Sequence, residues 1–517
     1  MNLRKRTFHC LIVFFAAMPL CLAVETNDVK YNSHLHFLQG EILLRQNNPI
    51  SALYEFEKTI ELDKGAVPAY KELIFLYLQS GKYEKAQMLV KILNNISDNV
   101  DTKLFLGTYY VYAGDTTSAI NQYQHVLKKE PDNAEAILIL AGIYSEISPE
   151  KSLDYWDKYI RLKPDSADAY YRKAVVLKKL NKIEEAKELV NKAIEIQPED
   201  ILSHIMLAEI YENEQEYILA GDELYFCGGI DKNSYGYYIR AGGMYMLAKE
   251  YEKSEKVFLE AREVSKNDPA VSFWLGILYE NKRDWKKASE YVEESLARKP
   301  DTASYVKLSY YYTQMNDVKK AIKTLGQALK LDPKSADVNF FIGLGYMDLK
   351  ESNKAVKYFR RTIDLNPERS EAYYYLGTIY EQSGKFDKAL PNLRKVVELE
   401  PKNAVAMNYL GYCLADRGVN LDEAETLIRN ALEIDPENGA YRDSLGWIYF
   451  KKGKYHEAKI EIEQASKNLK DPVIYEHLGD IEQALGNKKE AEIFYKKVIF
   501  LEPKNKSAKK KLKKIKL

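Results

Sequence analysis

Prolines recur in the second half of this chain at positions 300, 333, 367, 401 and 436, spaced 33 to 35 residues apart. Proline lacks a backbone N–H and crowds the preceding turn, so each one ends a helix. Between two of them, Glu368–Pro401 reads ERSEAYYYLGTIYEQSGKFDKALPNLRKVVELEP. Tyr373, Leu376, Gly377 and Tyr380 fall at i, i+3, i+4 and i+7, which is one face of a first helix. Ser383-Gly384-Lys385 interrupts the pattern, Gly384 suiting the left-handed residue that closes a helix. A second helix follows, with Ala389, Leu393 and Val396 on its inner face. Such a hairpin cannot bury its apolar stripe alone and must stack on copies of itself. The spacing therefore predicts an all-α chain built from one repeated unit.

Fourteen copies follow one another. Gly40/Ala52/Phe56 mark the first, Tyr70/Tyr77/Ala86 the second and Gly107/Tyr110/Ala119 the third. The fourth has Ala141, Tyr144 and Trp156, its turn reworked around Pro149, and the fifth has Tyr170, Ala174 and Ala186. Weaker units carry Ala208/Ala220 and Gly242/Ala261, and regular ones resume from Gly276/Ala288 to Gly479/Ala491. The twelfth carries one extra residue in its turn. Asn133, Ser166, Ser335 and Asn403, each two residues after a proline, suit the N-cap of the next helix. The join Phe226–Ile230 is the least regular point, so Gly228–Gly236 is either a hinge or change of curvature, or simply a longer loop.

This pattern of Tyr, Leu-Gly, Tyr, Ala, bulky residue and Pro resembles the tetratricopeptide repeat, whose period is also 34 residues. The resemblance implies a right-handed superhelical solenoid of about 14 helix-turn-helix repeats. In that family the first helices line a concave groove, which the positions just after Tyr373 and just after Gly377 face. The resemblance so places Tyr171, Phe273, Tyr310, Phe340, Leu344, Tyr374, Tyr412 and Trp447 there as protein-binding residues. Aromatic side chains supply interface area at low entropy cost. The alternative is that some of these rings pack between helices, as the repeat's own Tyr110, Tyr144, Tyr346 and Tyr380 do. Some eukaryotic members clamp a peptide carboxylate with lysine and asparagine. Lys71 holds one such position, but Phe75 stands at the asparagine, which disfavours that mode.

A narrower resemblance covers Asn408–Asp480. Leu410–Tyr412, Leu414–Arg417, Leu421–Ala424, Asp443–Trp447 and His477–Asp480 are similar to bacterial envelope tetratricopeptide proteins. These include outer-membrane lipoproteins acting as adaptors for a periplasmic carboxy-terminal processing protease. The resemblance implies a protein or peptide partner, such as that protease or a cell-wall hydrolase.

Arg4, Lys5 and Arg6 precede the uncharged run Cys10–Val24, which fits a secretory signal cleaved after Ala23. An uncleaved anchor is the other reading, although 15 apolar residues fall short of the roughly 20 that span a bilayer. Cys21 is a candidate for lipidation, against which Leu20 speaks. The domains are then 1–23, the signal; 24–227, a first array of six repeats; 228–503, a second array; and 504–517, a basic tail. Residues 24–503 hold 65 basic against 76 acidic residues, and the tail adds eight lysines with no acid. That balance argues against nucleic acid as a partner. The tail reads as a capping helix or as a lure for an anionic membrane.

Cys227 and Cys413 fall in distant repeats and cannot pair. The histidines are scattered, and no phosphate loop, zinc motif or nucleophile elbow occurs. The sequence thus predicts no enzyme, no metal and no cofactor. It points to an exported scaffold in the periplasm or envelope, outer-membrane associated if anchored. An assembly factor for secretion, pili or polysaccharide export, or a regulatory partner of a glycosyltransferase, are the alternatives.

Overall fold

The computed structural model describes residues 29–232 and 234–515. The export segment Met1–Ala23, with Cys21, lies outside the described residues. Those described form 29 α-helices, numbered α1 to α29 in chain order, and no strand. They divide into two compact units, the first ending at Ile230 and the second starting at Asp231. Within each unit, odd- and even-numbered helices pair as hairpins, and each hairpin packs on the next in chain order. This is a helical-repeat solenoid.

Repeat eleven shows why the sequence folds this way. In α21 (Ser370–Gln382) and α22 (Phe386–Leu399), Leu376, Ala389, Leu393 and Val396 are all buried. Gly384 adopts φ +71°, and the Lys385 N–H donates to the Tyr380 carbonyl at 2.8 Å, closing α21. Asn133, Ser166, Ser335 and Asn403 each cap a helix by accepting from a backbone N–H three residues on. We expect Asn403→Ala to destabilise its repeat by about 1 kcal/mol, read as a lower urea midpoint. An unchanged midpoint would show that the cap there is redundant.

Two turns depart from the standard one. Ser148 alone separates α7 (Ala134–Ile147) from α8 (Pro149–Leu162). The extra residue before α24 (Leu421–Ile434) is absorbed by Gly418 and Asn420, both left-handed, at φ +69° and +51°. The expected irregular join, Phe226–Ile230, is the last part of α12 (Tyr217–Ile230), so Gly228 and Gly229 are helical and the connection to α13 (Tyr235–Leu247) begins only after Ile230. Burial of Leu224 and Cys227 on α12 outweighs the roughly 1 kcal/mol that each glycine costs it.

Cys227 and Cys413 are buried thiols in different units, and burial pushes the Cys413 thiol up to about 12. Beyond α28 (Lys488–Leu501) the chain forms α29 (Lys506–Ile515), which packs on α28 with Ala508 buried. Lys511 pairs with Glu476 at 2.8 Å and Asp480 at 2.6 Å, both on α27 (Pro472–Ala484).

Candidate functional site

In the first unit, α3 (Val67–Gln79) and α5 (Val100–Tyr112) are the first helices of neighbouring repeats. A cavity of about 280 Å³ opens between them, lined by Ile74, Phe75, Leu78, Phe105, Tyr109 and Tyr112. Ile74 is wholly buried and forms its floor, while Phe75 and Tyr112 are 50% and 69% exposed. Large side chains held in water at this density mark a contact surface. Beside it, Lys71 is held by Asp101 and lies 5.5 Å from the Phe105 ring, so it is committed within the unit. One turn before Phe75, burial and then the Glu41 charge hold the Glu72 carboxyl above its usual range.

In the second unit three of the groove positions lie under a side chain of the next first helix. Tyr375 packs 5.9 Å from Phe340, Tyr409 5.7 Å from Tyr374, and His477 4.0 Å from Trp447. Tyr375 and Tyr409 each sit one place after the covered position, in the next first helix, whereas His477 sits three places before the position equivalent to Trp447. Phe340 also meets Phe359 at 5.7 Å and lies under the Arg369 guanidinium at 3.9 Å, and is 6% exposed. Trp447 stacks on Phe450 at 4.8 Å and is 8% exposed. These two offer a partner little surface as the unit stands.

The remaining groove positions vary. Tyr310 is 44% exposed, edge-on to Trp285 at 5.8 Å. Tyr171, Phe273, Leu344, Tyr374 and Tyr412 are half-buried. Tyr374 lines a separate cavity of about 360 Å³ with Glu371, Glu400 and Val405. Burial, then Asp416 and Asp443, pushes the Tyr412 hydroxyl up to about 12. Asp443 in turn meets Nδ1 of the buried His477 at 3.0 Å. The Trp447 Nε1 and Asn408 Oδ1 atoms are buried with no hydrogen-bond partner among the described residues.

Phe75 enters the sequence reading only as an obstacle to a carboxylate clamp, and Phe105, Tyr109 and Tyr112 not at all. Their signal was present. Phe75, Leu78, Phe105 and Tyr112 are large apolar residues in excess of the buried stripe that each helix needs. Among the described residues, no group of three or more His, Cys, Asp or Glu side chains could hold a metal ion. No described helix is long and apolar enough to cross a membrane.

Stacked hairpins with open apolar faces define a helical-repeat binding scaffold. Tetratricopeptide repeat models match residues 106–145, 167–200, 302–335, 336–369, 370–403, 441–467 and 473–505. The chain is a tetratricopeptide repeat protein, whose fold typically serves as a non-catalytic scaffold for protein–protein interaction. The anaphase-promoting complex subunit CDC16 of Saccharomyces cerevisiae is 22% identical over 377 residues, 63% of this chain and 44% of that one. Human tetratricopeptide repeat protein 13 is 24% identical over 213 residues, 40% of this chain and 21% of its own. The chain thus spans less than half the length of these relatives. A solved tetratricopeptide repeat protein from Parabacteroides merdae is 22% identical, covering 48% of this chain and 99% of that one, with a TM-score of 0.38.

Proposed function

We propose that this chain is a scaffold of the bacterial cell envelope that grips apolar segments of partner proteins on its first helices. The observation that carries the reading is the open cleft between α3 and α5, with Phe75 and Tyr112 half or more in water. Apolar anchors seated in such a cleft supply most of the affinity of a protein interface. The basic and apolar segment Met1–Ala23 supports an exported location. The Asn408–Asp480 motifs support a role as adaptor for a periplasmic processing protease, the second unit presenting what the first has bound.

The test is capture from crosslinked cell envelopes by the tagged protein, beside a Phe75→Ser/Tyr112→Ser variant. Both side chains are exposed, so the variant keeps its fold. Loss of two anchors is expected to cut capture at least about tenfold. Recovery of a processing protease or cell-wall hydrolase supports the adaptor role. Secretion, pilus or polysaccharide-export components, or a glycosyltransferase, would replace it. Undiminished capture by the variant, or a protein confined to the cytosol, would sink the reading.

A further inference from the structure

The last hairpin and α29 carry an unbalanced charge. Residues 488–515 contain eleven lysines against three glutamates. Lys496 pairs with Glu492, Lys511 is held by Glu476 and Asp480, and Lys497 lies over the Tyr475 ring at 3.8 Å. The other eight, Lys488, Lys489, Lys504, Lys506, Lys509, Lys510, Lys513 and Lys514, are exposed and have no carboxylate partner among the described residues. A helix that only capped the solenoid needs a polar outer face, which mixed charges supply without self-repulsion.

Apolar side chains stand among these lysines. Phe500 is 83% exposed and Ile493 62% exposed. They lie seven residues apart, on one face of α28, with Lys489 and Lys496 on the same stripe. Phe500 is only a few residues from Lys504 and Lys506, where the chain turns into α29. An acidic protein or a nucleic acid would satisfy the lysines but has no general use for an exposed isoleucine beside a phenylalanine. A bilayer interface takes both, with basic side chains at the headgroups and apolar ones at the acyl boundary.

We propose that the α28–α29 end of the second unit docks on an anionic lipid surface, with Ile493 and Phe500 entering the acyl boundary. It rests on residues that the partner cleft does not use, so either reading can fail alone.

The test is co-flotation of the protein, purified as the cell makes it, with vesicles of phosphatidylcholine or of phosphatidylcholine with about a quarter phosphatidylglycerol. Anionic vesicles are expected to bind at least about tenfold better than neutral ones, with release as NaCl rises from about 0.1 to about 0.5 M. Two variants separate the contributions: Lys509→Gln/Lys510→Gln/Lys513→Gln/Lys514→Gln, and Ile493→Ser/Phe500→Ser. All six side chains are exposed, and unchanged circular dichroism confirms the fold. Each variant is expected to weaken anionic binding at least about tenfold relative to wild type. No preference of the wild type for anionic vesicles overturns the proposal, as does binding indifferent to Ile493 and Phe500. Tighter binding to a single-stranded DNA oligonucleotide than to the vesicles also overturns it, in favour of a nucleic-acid surface.

Discussion

Trp156→Ala is expected to destabilise the first unit by about 3–5 kcal/mol. Trp156 is 1% exposed and shares its cluster with buried Ala141, Ala169 and Val176, with half-buried Leu153, Tyr159 and Ile160 among the larger side chains packed against it. The alanines have no rotamers with which to fill a void, so the size of the cavity left is set by how far the larger neighbours can turn into it. The polar part of the loss is minor. Trp156 Nε1 donates to Ser145 Oγ at 3.1 Å, but that hydroxyl itself donates to the Ala141 carbonyl at 2.7 Å and stays satisfied. Urea denaturation followed by circular dichroism should show the first unit melting well ahead of wild type. Trp156→Phe, which keeps most of the ring, should lose much less. A shift below about 1 kcal/mol for the alanine variant would mean that the helices close over the gap.

The repeat itself was legible because its signals are local and redundant. Gly384 closes a helix, Asn403 opens the next, and the apolar face of α21 needs only i, i+3, i+4 spacing. Which groove position stays open was not legible, because that depends on the following repeat. Phe273 and Phe340 occupy the same place in their repeats. Over Phe340 the next repeat lays Tyr375 and Arg369, and the ring is buried. After Phe273 the covering position is Lys307, which reaches instead to Glu280 at 2.8 Å, and Phe273 is half-buried. Position within one repeat therefore predicts direction but not exposure. The α3–α5 cleft escaped for the same reason, since Phe75 belongs to one repeat and Phe105 and Tyr112 to the next.

In the second unit, Phe359→Ala is expected to cost about 3–5 kcal/mol, and the effect of Gly343→Ala is expected to change sign in its presence. Phe359 is wholly buried, stacked on Tyr375 at 5.5 Å and packed against Phe340 at 5.7 Å. Its other face meets Gly343 of α19 (Ala336–Asp348), where an added Cβ would stand 2.7 Å from the ring. Tyr375 and Phe340 leave the ring no easy retreat. Gly343→Ala alone should therefore overpack the hairpin, by about 1–3 kcal/mol, despite the better helix propensity of alanine. With Phe359 cut to alanine the obstruction is gone. The new methyl then fills part of the void, and the roughly 0.5–1 kcal/mol that glycine costs a helix interior is recovered. The double variant should be as stable as Phe359→Ala alone, or more so, when the four proteins are compared by urea denaturation. Strict additivity would show that Gly343 is required by something other than this ring, and would detach the glycine of the repeat from the bulky residue it faces.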